Sequence, residues 1–210
     1  MTDETPLDAA HRVMTEAPED DAARLRFYAR LADSELCLML VREAEGGTLD
    51  PEIFAVEGGR FVLAFDREDR LAAFAGRAVA YAAMPGRALA GMLAGQGVGI
   101  GLNLDAAPSA MLLPAEAVDW LANTLAEAEG TPAPAEARPV EVRPPEGLPR
   151  TLLAALDGAL ARAGGIASHA ALAAVRYEDG GRGHLLAIVG AAPGAEGALA
   201  RSVQEALVFS

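Results

Sequence analysis

A chain of 210 residues has room for one large domain or two small ones, with enough length to bury a core. Its 52% hydrophobic content rests largely on 48 alanines, which favour helix but bury little area each, so many helices are expected. A formal charge of −13, with 17 arginines as the whole basic complement and no lysine, argues against binding to phosphate backbones and hence against a nucleic-acid partner.

The N-terminal segment MTDETPLDAAHR lacks the basic-then-apolar order of a signal peptide. No apolar run approaches the ~20 residues a membrane helix needs, so a cytoplasmic protein without a membrane partner is expected. Residues 5–32 read as two helices: Leu7, Ala10 and Met14 share one stripe, and Leu25, Tyr28 and Leu31 with Phe27 form another after the acidic start EDD. ELCLMLV (35–41) is a buried strand holding the single cysteine, Cys37, as a small apolar side chain. Strands follow at 52–56 and 60–66 around the turn Gly58-Gly59. DREDRLAAFAG is then a helix that Asp66 can cap. AVAYAAM is a strand, and Pro85 opens the helix GRALAGMLA. A short strand at Ala110 to Leu113 leads into a helix from Pro114 that ends near Gly130.

Between these elements lies GQGVGIGLN, Gly95 to Asn103, which has the glycine content of a phosphate loop but not its spacing. Counting from Gly95 or Gly97, the third glycine of a dinucleotide fingerprint falls on Ile100 or Leu102, and no Gly-Lys-Ser/Thr exists for a P-loop. The stretch alternates instead, with Val98, Ile100, Leu102 and Leu104 on one side and Gly97, Gly99, Gly101 and Asn103 on the other. It predicts a strand whose glycine face lets a neighbour press close, and no cofactor is expected.

The sequence therefore predicts an α/β (α+β) fold, a mixed sheet flanked by helices, over residues 1–130. Residues 131–149 carry six prolines and read as an extended linker able to donate an edge strand at Val140 to Val142. Residues 150–210 form a small α-β-β-α domain, with strands HAALAAVRY and HLLAIVG joined by EDGGRG. A unit that small is expected to lean on the first domain or on a second copy of itself.

Catalytic patterns are hard to find. The histidines at 11, 169 and 184 are too far apart in sequence for a metal pair, and Ser109 and Ser168 have no base at a recognisable spacing. Glu35, Asp50, Glu68 and Asp69 sit at strand ends and first helical turns, where carboxylates are solvated or capping. Arg87 lies in the first turn of the helix after Pro85-Gly86, where free N–H groups and a guanidinium could hold a carboxylate with help from Asn103 at the adjacent strand end. Pairing with a nearby acid is the commoner role for such an arginine. Trp120 reads first as a core or interface anchor and second as a partner hot spot.

With FVLAFDREDRLAAFAG, MPGRALAGMLAGQGVGIGLN and a proline-led helix with leucines, the first 125 or so residues resemble the N-terminal domain of the SseB family, bacterial proteins named for enhanced serine sensitivity. The family pattern commonly closes the glycine strand with Asn-Pro-Gly; here Asn103 is followed by Leu104-Asp105, with proline only at 108. The resemblance implies a non-enzymatic cytoplasmic protein and brings no catalytic residues. A protein-binding or adaptor role, with a protein partner or self-association, is the first expectation. A sensor of an amino acid or small carboxylate at Arg87 and Asn103 is the second, and an enzyme with an unrecognised site the third.

Overall fold

Short-range capping decides where the first helices start. The computed structural model describes residues 4–44, 46, 48–56, 58–128, 138–178 and 180–209. In it, α1 (Pro6–Glu16) begins on a capping box, Thr5 Oγ1 accepting from Asp8 N while the Asp8 carboxylate accepts from Thr5 N. The α2 helix (Asp21–Asp33) begins on Asp20, whose carboxylate accepts from Ala22 N. Then come β1 (Glu35–Met39), β2 (Ile53–Val56), β3 (Gly59–Phe65) and α3 (Glu68–Ala75). The expected Asp66 cap on α3 is not formed. Arg67 holds that position without a side-chain cap bond, because the Asp66 carboxylate is engaged by Thr5 and Arg70. The unit continues through β4 (Tyr81–Pro85), α4 (Gly86–Leu93), β5 (Gly99–Leu102), β6 (Met111–Leu113) and α5 (Ala115–Ala128). The helix stop expected near Gly130 and the linker residues 131–137 lie outside the described residues.

These strands form a mixed sheet in the order β4-β1-β3-β5-β6, with β2 alongside the first half of β3. The β3 strand is its hub. It pairs in parallel with β5 and antiparallel with β1 and β2. Since β1 is also antiparallel to β4, the strands β3, β4 and β5 all run the same way and finish at one edge of the sheet. Cys37, Met39, Leu63 and Phe65 share a face packed against Leu71 and Phe74 of α3. The alternate positions Leu36, Leu38, Val62, Ala64, Ile100 and Leu102 make the opposite face and are fully buried, as are Phe27 and Leu31 of α2, Leu89 of α4 and Leu121 of α5. Burial on both faces is why LCLMLV and FVLAF read as continuous apolar runs and not as alternating ones.

The chain divides into two compact units, Met1–Ala126 and Glu127–Ser210. The second contains β7 (Pro139–Arg143), α6 (Arg150–Arg162), β8 (His169–Tyr177), β9 (Arg182–Val189) and α7 (Glu196–Val208). Its sheet, β7-β8-β9, is antiparallel throughout, and the edge strand expected at Val140 to Val142 is present as β7. Leu156 and Ala159 of α6 and Ala206 of α7 close over Leu172 and Leu186, a cross-strand pair on one face of that sheet.

The glycine stretch is shorter as a strand than its alternation suggests. Gly97, with φ +62°, belongs to the preceding turn, and Asn103, with φ +48°, lies past the strand's end. Gly99 and Gly101 are the positions where packing forbids a side chain. A Cβ on Gly99 would lie 2.3 Å from the Leu113 carbonyl oxygen and 2.7 Å from the Phe61 ring, and one on Gly101 would lie 2.7 Å from Leu63 Cδ2. Phe61 and Leu63 are the register partners of those glycines, so each large side chain of β3 occupies the space its partner leaves open. Gly99→Val should overpack this contact and lower the unfolding free energy by about 1–3 kcal/mol, measured by urea denaturation. A variant that melts with the parent would mean the glycine face is open.

Candidate functional site

Where β3 and β5 end, four chain segments meet in a buried polar cluster. Asp66 follows β3, Asn103 follows β5, Arg70 projects from α3 and Asp8 from α1. Asn103 adopts the left-handed conformation that asparagine tolerates better than most residues. Its Oδ1 accepts from Asp66 N at 3.0 Å and its Nδ2 donates to Ser109 Oγ at 2.9 Å. Ser109 Oγ donates in turn to Asp8 Oδ1. Arg70 Nη2 donates to Asp8 Oδ2, and its Nη1 bridges Asp8 Oδ1 at 3.1 Å and Asp66 Oδ1 at 2.8 Å. Thr5 Oγ1 completes the cluster by donating to Asp66 Oδ2 at 2.6 Å.

Asp8 and Arg70 are each only 2% exposed, and Asn103 and Ser109 are wholly buried. Burial pushes the Asp8 carboxyl up, but hydrogen bonds from Arg70, Ser109 and Thr5 reverse this and hold it well below the ordinary carboxylate range. Burial likewise works against the Arg70 charge, and Asp8 and Asp66 overcome it. Among the described residues, Arg70 Nε is the one buried side-chain polar atom without a partner. The cluster occupies the strand ends where open α/β sheets usually gather ligands, yet its donors and acceptors are turned on one another. It is a pin between elements.

The three residues singled out from the sequence fall in different surroundings. Asn103 is inside the cluster. Arg87, half-buried, ion-pairs with Asp33 at the end of α2. Pro85 and Asn103 both sit at the same sheet edge, but β4 and β5 are three strand spacings apart, on the order of 14 Å. The structure thus does not bring Arg87 and Asn103 together around one ligand. Trp120 is 40% exposed and stacks edge-to-face on Tyr28 at 5.1 Å. Tyr28 packs on Phe27, and Phe27 on His11. Cys37 is buried, and burial, with Glu68 adding to it, pushes its thiol up to about 11, away from the thiolate form that a nucleophile needs.

Residues 7–120, just over half of the chain, match the model of the SseB protein N-terminal domain. The chain belongs to the SseB family. No curated protein and no solved structure matches it. The SseB domain so delimited contains Asp8, Asp66, Arg70, Asn103 and Ser109 of the polar pin, while Thr5 lies just ahead of it. No signal local in sequence marks the pin except one: on α3 of this SseB domain, Arg70 falls in the stripe of Leu71 and Phe74, where an apolar residue is the rule.

Replacing Arg70 in the SseB domain by Met should cost about 3–5 kcal/mol, because two buried carboxylates lose their counter-charge. Asp8→Asn should cost less, since it leaves Arg70 paired with Asp66; equal losses in denaturant melts would contradict this ordering. The Asp8 carboxyl is depressed in the folded state, so its contribution is present above the unfolded value of about 3.9 and is lost as pH falls below it. The stability difference between parent and Asp8→Asn should therefore hold steady from pH 7 to about 4 and shrink in more acid solution.

Proposed function

We propose that the chain is a non-enzymatic, cytoplasmic binding protein that docks another protein on the surface around Trp120. The observation that carries this reading is the placement of that ring. It is 40% exposed yet held in orientation by Tyr28, which rests on the fully buried Phe27. A large aromatic side chain fixed at the surface presents apolar area that has already lost its conformational freedom, which is the character of interface hot spots. The rest of the first unit supports binding over catalysis. Its buried polar groups at the strand ends, Arg70 Nε apart, satisfy one another, and its cysteine is buried with its thiol pushed up. Among the described residues no helix is long and apolar enough to cross a membrane.

Trp120→Ala is the direct test. It should lower stability by only about 0.5–1.5 kcal/mol beyond the lost area, the worth of an aromatic pair. Removing a hot spot should weaken binding by about 2 kcal/mol or more, roughly thirtyfold. Affinity purification from the native cell, with quantification of what the parent and Trp120→Ala retain, gives the readout. Identical retention by both, or a parent that retains nothing and sediments as a monomer, would overturn the reading.

A further inference from the structure

Past the Leu172–Leu186 pair, the same face of the second sheet changes from apolar to cationic. Two cross-strand rows follow there. Arg143, Ala174 and His184 lie side by side across β7, β8 and β9, and Glu141, Arg176 and Arg182 form the next row. Ala174 is the small centre of this arrangement, and with Pro144 and the charged side chains it lines a concavity of about 470 Å³. That volume is in the range of small-molecule sites.

Arg176 and Arg182 stand directly opposite one another. Tyr177 N donates to Gly181 O at 2.9 Å, so the Arg176–Arg182 pair beyond it is a non-hydrogen-bonded one, in which side chains approach most closely. Like charges in that relation are unfavourable unless something negative sits between them. Glu141 answers part of the charge: one of its carboxylate oxygens accepts from Arg143 Nε at 2.6 Å and pairs with Arg143 Nη2, and the other accepts from Arg176 Nε at 3.0 Å, which leaves the outer nitrogens of Arg176 directed elsewhere; Glu146 lines the same concavity. Arg182 and His184 have no hydrogen bond or ion pair among the described residues. The acidity of the whole chain does not cancel this ring. Residues 127–210 hold seven of the 17 arginines and ten of the 30 acidic residues, so ten of the 13 net negative charges belong to the first unit. Charges beyond about 8 Å are screened at physiological salt.

We propose that this concavity binds a small phosphate monoester, with the phosphate between Arg176, Arg182 and His184 and the organic part over Ala174 and Pro144. Guanidinium forks match phosphate oxygens, and a dianion carries charge enough to answer both opposed arginines, whereas Glu141 reaches only Arg176 of the two. The concavity is larger than a bare phosphate requires, and Ala174, Pro144 and Val175 contribute to its lining beside the charged residues, which leaves room for a ligand with an uncharged body. All the residues that line the site belong to the second unit.

Titration of the full-length protein with glycerol 3-phosphate, followed by calorimetry and amide NMR, tests the proposal. Amides of residues 174–176 and 182–184 should shift together and saturate. Arg182→Gln should weaken binding by about tenfold or more while leaving the melting temperature equal or higher, because it removes one of two repelling charges. Arg201→Gln on α7, outside the concavity, should bind as the parent does. Absence of localised shifts at millimolar ligand overturns the proposal. So does an Arg182→Gln protein that binds as tightly as the parent, or one that loses both binding and fold while His184→Gln, folded, still binds fully.

Discussion

The first unit is held in register by one guanidinium. Arg70 joins α3 to α1 through Asp8, 62 residues away, and to the end of β3 through Asp66, while Ser109 links Asp8 to the loop after β5 across 101 residues. Apolar packing would bury those segments as effectively, and removing charges from water is costly. What packing alone does not supply is direction. Hydrogen bonds of defined geometry place α1 at one position along the sheet edge, and α1 in turn packs on α2. The α2 helix then meets α4 so closely that a Cβ on Gly86 would lie 2.0 Å from the Leu31 carbonyl oxygen. Displacing the pin would be felt through that whole series of contacts.

Filling the strand ends with a structural network changes where chemistry can occur. A doubly wound sheet normally leaves a crevice at its carboxyl edge, and here that edge is occupied by side chains bonded to one another, with Arg70 Nε alone left over among the described residues. The remaining opportunities lie on outer surfaces of two different kinds. One is apolar and aromatic, on the helices of an acidic unit. The other is cationic and concave, on the sheet of a unit whose charges nearly balance.

Much of the architecture was legible because it rests on local rules. Alternation and continuous apolar runs mark the strands, Pro85 and Pro114 mark helix starts, and the glycines at 58 and 76 mark ends. The proline-rich stretch yielded its edge strand because Val140 and Val142 alternate with polar residues. What escaped depends on contacts between distant residues. Asp66 looks like a helix cap until a threonine 61 residues earlier and an arginine one turn later compete for its carboxylate. Asn103 looks available at a strand end until the chain folds it inward against Ser109. The opposition of Arg176 and Arg182 is invisible without the hairpin register, since six residues of separation mean nothing until the turn between them is known.

The closure of the glycine strand by Phe61 and Leu63 makes positions 61 and 99, and likewise 63 and 101, share single volumes. Within this fold neither member of a pair is free to drift alone. A chain that acquires alanine or a larger residue opposite position 61 must give up the aromatic ring there, and it must also move the Leu113 carbonyl that crowds position 99. Covariation between β3 and β5, with large and small exchanged across the parallel pairing, is the trace this packing would leave in the sequences of related domains.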